Sequence, residues 1–238
     1  MKIYHKEFCH QYKNYLFGYT LHALREEDLI DDIYVKGFLP FTGNTEIINT
    51  FYMARSCRVV LENFELSSEN RRILKKILPG AFIKTKKAGA AYIQDESFLH
   101  FCLEYFNTRH GEGIFTKERL QFVLSFSHEV NVIKYADENE KVIAYVIEAE
   151  GKNAAQYWFS FYDINEDLPS LGLWLMLDGI ITAKEKKLQY YYLGTVYGEK
   201  ALYKTNFKSL EYWDGNAWKN NIAALKNLAR QDNKWEMK

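Results

Sequence analysis

The residue types able to do chemistry cluster at a few places along the chain. The densest basic stretch holds Arg71, Arg72, Lys75, Lys76, Lys84, Lys86 and Lys87, with no acid from Arg71 to Lys87. Such a run suits contact with a phosphate backbone, the bland alternative being a solvated face. Tyr190, Tyr191 and Tyr192 are consecutive. On a strand, Tyr190 and Tyr192 share one face, where hydroxyls and rings can bind a polar group and a base, or simply pack. Lys200 and Lys204 stand four apart with Tyr203 beside them, a spacing that suits phosphate contact on one helical face or plain solvation. Asp163 closes an aromatic stretch, and Arg109 precedes His110. No HxxH or HExxH spacing occurs, and Cys9, Cys57 and Cys102 form no CxxC. No metal site, disulfide framework or cofactor is therefore expected.

Composition narrows the classes. Lys and Arg total 31, as do Asp and Glu, so the net charge is zero and a wholly basic nucleic-acid-binding surface is excluded. A local basic patch is not excluded, because phosphate affinity depends on charge within a Debye length. With 238 residues, there is room for one large domain or two small ones. No apolar stretch reaches membrane-spanning length, and the N-terminus lacks the apolar core of a signal peptide. The widely spaced cysteines fit a reducing cytoplasm.

The elements that must position these groups are read from periodicity. A helix is predicted over Leu21–Lys36, stopped by Gly37, followed by strands over Glu46–Met53 and Arg58–Leu61. Ser67 is the expected cap of a basic helix over Glu69–Leu78 that stops at Pro79-Gly80. Helices follow over Gln94–Asn107 and, capped by Thr116, to Ser125. Strands over Asn131–Tyr135 and Lys141–Glu148 flank the polar turn at 137–140, and Gln156–Asp163 is a third strand. A helix over Leu171–Lys187, a strand over Leu188–Tyr197, a short helix over Glu199–Lys204, a hairpin from Leu210 to Trp218 and a closing helix over Asn221–Arg230 complete the reading. From about residue 95 this order matches the GNAT acyltransferases. The expected class is therefore α+β: a GNAT-like acyltransferase fold with a splayed mixed sheet (residues 91–238), preceded by a smaller α+β N-terminal region (residues 1–90).

Three stretches of the C-terminal half are similar to the arginyl/leucyl-tRNA–protein transferase family. The first runs from Tyr105 through Arg109-His110 into Gly111-Glu112-Gly113. The second is Phe161-Tyr162-Asp163 with Ser170-Leu171-Gly172. The third, and most specific, is Tyr190-Tyr191-Tyr192-Leu193-Gly194 with Lys200, Tyr203-Lys204 and Phe207. Gly37-Phe38, Phe64, Ser67, Arg71 and Arg72 extend the likeness more weakly toward the N-terminus, so that it covers roughly residues 25–215. The family's cysteine cluster is missing here: only Cys57 remains in that interval.

The resemblance implies a GNAT-like enzyme that moves an amino acid, arginine or leucine, from charged tRNA onto the N-terminal amine of a protein, as in N-degron degradation. That reaction is attack of an amine on an activated ester, so positioning, a modest base and oxyanion stabilisation suffice. The implied catalytic residues are Asp163, as proton acceptor, and Tyr192. Arg109, His110, Ser170, Gly172, Tyr190, Gly194, Lys200, Tyr203 and Lys204 are the implied substrate-binding set, and Arg71, Arg72, Lys75 and Lys76 the tRNA-binding set. Asp163 as a turn or cap carboxylate, and Ser170 as a simple helix cap, are the structural alternatives. The expected partners are aminoacyl-tRNA and protein N-termini with an acidic or basic first residue, with no membrane and no DNA. Two other readings stay open: a CoA-dependent GNAT N-acyltransferase, disfavoured by the bulky Leu173 and Trp174 where CoA loops carry small residues, and a non-catalytic domain that binds RNA or N-termini.

Overall fold

The computed structural model describes residues 3–10, 15–25, 28–77, 80–126, 129–166 and 168–232. In chain order the elements are β1 (Ile3–His10), β2 (Tyr15–Ala23), α1 (Ile30–Val35), β3 (Phe38–Pro40), β4 (Thr50–Met53), β5 (Ser56–Val60), α2 (Ser68–Leu74), β6 (Ile83–Ala88), α3 (Glu96–His110), α4 (Lys117–Leu124), β7 (Glu129–Ala136), β8 (Val142–Glu150), β9 (Ala154–Tyr162), α5 (Leu171–Glu185), β10 (Tyr190–Thr195), β11 (Leu210–Trp213), β12 (Trp218–Lys219) and α6 (Ile222–Asp232). Short 3-10 helices cover Gly89–Tyr92 and Glu199–Asn206.

Local chemistry explains several of these. The Ser67 hydroxyl caps α2 by accepting from Asn70 N–H, and the Asn70 side-chain oxygen accepts from Ser67 N–H, which satisfies two donors that a helix start leaves free. Thr116 caps α4 in the same way through Arg119 N–H. The predicted hairpin forms as β7 and β8, registered by Asp137, whose carboxylate accepts from Asn139 and Lys141 N–H.

Nonlocal pairing overrides other expectations. The helix predicted over Leu21–Lys36 is replaced in its first part by the end of β2, where Leu21, His22 and Ala23 pair with Tyr52, Phe51 and Thr50; only Ile30–Val35 is helical. The ladder to β4 buries Leu21 and His22, a gain no local pattern announces. The strand predicted from Glu46 starts at Thr50. Leu78 and Pro79, the predicted end of the basic helix, and Glu26, Glu27 and His128 lie outside the described residues.

The smaller sheet has the order β1-β2-β4-β3, the larger β12-β11-β5-β10-β9-β8-β7-β6. Two strands that precede residue 90, β5 and β6, are thus built into the larger sheet. Alternate residues of that sheet feed two cores. Tyr191 and Leu193 join Leu171, Leu175 and Ile180 of α5 in one; Tyr192 joins Phe98 and Leu99 of α3, Leu120 and Val123 of α4, and Tyr34 in the other. The fold is α+β, and its sheet is mixed: β9 and β10 run parallel, every other neighbouring pair antiparallel. The parallel pairing lasts only from Tyr190↔Ala154 to Tyr192↔Gln156. Beyond it β9 continues along β8, while β10 continues along β5 through a bulge in which Gly194 takes a positive φ of 79°. This is the splay expected of the GNAT-like order.

Candidate functional site

A cavity of about 500 Å³ opens where β9 and β10 part. α3 supplies Tyr105 and Arg109 to its wall, β9 supplies Tyr157, Ser160 and Tyr162, and the β9–α5 loop supplies Asp163 and Glu166. Ser170 and Gly172 enter from the start of α5, and Tyr203 from the 3-10 helix at 199–206.

A one-residue bulge decides which β9 side chains face it. Ile147 pairs with Phe159 and Glu148 with Tyr157, so Trp158 is the extra residue. Tyr157, Ser160 and Tyr162 therefore all meet the cavity, while Phe159 and Phe161 pack with Phe115 in the other core. Without the bulge, strict alternation from Tyr157 would send the two phenylalanines to the cavity instead.

Asp163 lines the cavity with a side chain only 16% exposed. Its carboxylate accepts from Asn165 N–H at 2.9 Å and faces the Lys141 ammonium at 3.4 Å. It is thus a turn carboxylate and a cavity carboxylate at once. Lys141 also pairs with Glu166, and these two acids raise its pKa, Glu166 contributing more than Asp163. Tyr105 and Tyr162 meet with ring centroids 4.7 Å apart, and burial followed by the Tyr162 hydroxyl pushes the Tyr105 phenol up. Arg109 sits over the Tyr162 ring at 5.7 Å and forms no ion pair among the described residues. His110 stacks on Phe106; partial burial first, then Arg109 and Lys200, lower its pKa and favour the neutral ring. The exposed Lys200 thus stands near the same rim.

Ser170 does not cap α5. Its φ of 70° is left-handed, its side chain makes no capping bond, and its hydroxyl accepts from Lys76 Nζ at 2.9 Å. Lys76 thereby joins the basic segment to the cavity rim. Gly172 approaches the Tyr162 ring closely: a Cβ there would lie 3.1 Å from it, so the ring would have to shift by a few tenths of an ångström. Of the basic helix, Arg72 is paired with Glu69 and Arg71 with the Leu66 carbonyl, while the Lys75 ammonium has no partner among the described residues. Lys84 and Lys86 are paired with Asp178 and Glu150.

Other expected site residues lie elsewhere. Tyr192 is fully buried and does not reach the cavity; its hydroxyl accepts from Arg58 at 3.2 Å. Tyr190 lies under the same guanidinium at 3.8 Å and borders a different cavity. Gly194 forms the β10 bulge, and Lys204 donates to the Thr195 carbonyl at 2.8 Å. Tyr157 and Ser160 were missed by sequence reasoning. The available signal was the broken alternation of hydroxyls in QYWFSFY at 157, 160 and 162. Cys57 and Cys102 are buried in different cores, and burial raises both thiols, Cys57 to about 11. No helix among the described residues is long and apolar enough to cross a membrane.

The chain is similar in sequence to known proteins. Residues 97–214, from α3 to just past β11, match the family model described as arginine-tRNA-protein transferase, C terminus. The chain is 27% identical over 167 residues to an aspartate/glutamate leucyltransferase of Saccharophagus degradans, a match spanning 68% of this chain and 69% of that one. An aspartate/glutamate leucyltransferase of Nitrosococcus oceani is 31% identical over 127 residues, or 50% of this chain and 53% of that one. Among solved structures, the GCN5-related glucosamine N-acetyltransferase region of a fungal multi-domain GH3 β-N-acetylglucosaminidase aligns over 67% of this chain and 19% of that chain, at 11% identity and a TM-score of 0.43. The family-model match covers most of the segment that builds the cavity, and the chain is similar in sequence to the aminoacyl-tRNA–protein transferases.

Proposed function

We propose that this chain transfers leucine from aminoacyl-tRNA to the N-terminal amine of proteins that begin with aspartate or glutamate. The observation that carries the reading is a carboxylate, Asp163, and a guanidinium, Arg109, that has no ion pair among the described residues, on one cavity at the splay. Leucine and the acidic acceptor are taken from the names of the relatives. The ester supplies the driving force, so the protein has only to align the two substrates, keep the amine neutral and hold the developing charge.

In this reading Arg109 holds the acceptor's acidic side chain, with Lys200 and the neutral His110 at the rim. Asp163 receives the proton that the attacking amine loses, once the amine displaces Lys141. The Gly172 N–H at the start of α5, which has no acceptor among the described residues, binds the terminal ribose or phosphate. Tyr203 stacks on the terminal base. Arg71, Lys75 and Lys76 carry the tRNA backbone toward Ser170. The division at residue 90 then becomes one of tasks: the preceding segment holds the tRNA backbone, and the following one holds the tRNA's terminal nucleotide, the acceptor and the reacting atoms. Charged tRNA sets the cytoplasm as the compartment.

Ligand-dependent melting tests the reading. Leucyl-tRNA is expected to raise Tm in low salt, and acetyl-CoA to leave it unchanged. Stabilisation by acetyl-CoA and not by charged tRNA would replace the proposal with a CoA-dependent acyltransferase.

A further inference from the structure

Tyr157 lines the cavity, and its buried hydroxyl is placed at a cost. Tyr157 is 6% exposed, and its hydroxyl oxygen has no hydrogen-bond partner among the described residues. The Ser160 hydroxyl is its neighbour, but the two do not meet in sound hydrogen-bonding geometry. A buried hydroxyl without a partner is destabilising, since it has given up its hydrogen bonds to water and gained none. The bulge at Trp158 keeps this side chain on the cavity face, at the first β9 position beyond the parallel pairing with β10. Burial holds its phenol well above the ordinary tyrosine range, so across neutral pH it stays protonated and keeps a proton to offer an acceptor.

We propose that Tyr157 is a catalytic residue whose hydroxyl donates to the carbonyl oxygen of the aminoacyl ester and stabilises the oxyanion formed from it. This rests on the transferase reading given above. The amine nitrogen attacks the ester carbon, a C–N bond forms, and the carbonyl π pair moves onto oxygen, where Tyr157 meets it. The amine loses one proton. Collapse restores the C=O bond and breaks the C–O bond to the ribose, whose oxygen takes up one proton. No oxidant, reductant or further reactant is needed. A donor aimed at charge that develops only in the transition state raises kcat rather than ground-state affinity. The unsatisfied hydroxyl is then a piece of preorganisation: its partner arrives with the reaction.

Tyr157→Phe removes only the oxygen atom. Transfer to an Asp-initiated peptide is expected to lose about 10²–10³-fold in kcat, the scale of one oxyanion donor. The KM for peptide and the Kd for leucyl-tRNA should stay within about twofold. The defect should be the same from pH 6.5 to 9, because a phenol protonated throughout does not titrate there. Tm should hold or rise, since the removed hydroxyl had no partner. A phosphonate analogue of the leucyl ester, carrying the tetrahedral charge, should bind the variant more weakly by a similar factor, while an uncharged amide analogue binds both proteins equally. A variant with wild-type kcat, or one that melts lower while keeping its rate per folded molecule, would sink the assignment of Tyr157 alone. A wild-type protein that transfers nothing from any charged tRNA sinks the transferase reading along with it.

Discussion

Two groups of tyrosines lie in this molecule and differ in how their hydroxyls are used. In the first, Tyr34 donates to Gln156 Oε1 at 3.1 Å, Tyr192 accepts from Arg58, and Tyr190 and Trp218 sandwich that guanidinium at 3.8 and 4.0 Å, with Glu211 at 2.8 Å closing the set. In the second, Tyr105, Tyr157, Tyr162 and Tyr203 surround open space with Asp163 and Arg109 beside them. The first group resembles a finished core: rings, cation and anion complete one another. The second is incomplete until something enters. Residue type alone does not separate the two, because Tyr190-Tyr191-Tyr192 is the more conspicuous run. Strand register separates them, since it decides which face each ring takes.

The comparison breaks most sharply at Asp163. Asp163→Asn should slow transfer by about 10²–10⁴-fold with charged-tRNA binding retained, the scale of general-base catalysis. The defect should shrink as pH rises past the amine's own pKa near ~8, because a neutral amine no longer needs the base. Tyr192→Phe, in the completed group, should leave the rate per folded molecule unchanged. A pH-independent loss below tenfold at Asp163, together with a large loss at Tyr192, would reverse the two assignments.

Stability should respond in the opposite sense. Arg58→Met strips Tyr190, Tyr192, Trp218 and Glu211 of their common partner, and is expected to cost about 2–4 kcal/mol, read as a lower urea midpoint. Its transfer rate per folded molecule should persist. A variant as stable as wild type would show that the aromatic packing alone holds this region.

Arg109→Ala sharpens the account of specificity. It should raise the KM for Asp- and Glu-initiated peptides by about 10–100-fold, the loss of one charge-assisted pair, and leave kcat at saturation close to wild type. An equal effect on peptides with an uncharged first residue would move Arg109 from recognition to architecture. The smallest effect is expected in the basic segment. Charge reversal at Lys75 and Lys76 should lower the log–log salt slope of tRNA binding by up to ~0.9 for each phosphate that the protein no longer neutralises. Arg72, already paired with Glu69, should change it least.

Local signals were legible in the sequence. The Ser67 and Thr116 caps, the β7–β8 hairpin and the α5–β10 order are all written within short windows of residues. Arg109, Asp163, Ser170, Gly172 and Tyr203, named from the sequence, come together around one cavity. What was not legible depends on distant partners. Leu21–Ala23 is strand because β4 lies beside it. β5 sits between β10 and β11, far from its sequence neighbours. The Trp158 bulge exists only relative to β8, and without it Tyr157 and Ser160 cannot be told from core residues. Tyr190, Tyr192, Gly194 and Lys204 were placed near the chemistry by motif likeness, whereas packing gives each a partner outside the cavity.

The most direct test of the central claim is a transfer assay across a panel. Purified protein would be incubated with separately radiolabelled leucyl-, arginyl- and other aminoacyl-tRNAs and with peptides that begin with Asp, Glu, Arg, Lys or Ala. The account predicts that label from leucyl-tRNA appears as an amide on the α-amine of Asp- and Glu-initiated peptides, and that Arg109→Ala removes this preference. Label on none of the peptides from any charged tRNA, with tRNA binding intact, would contradict it and leave the cavity as a binding site without transfer.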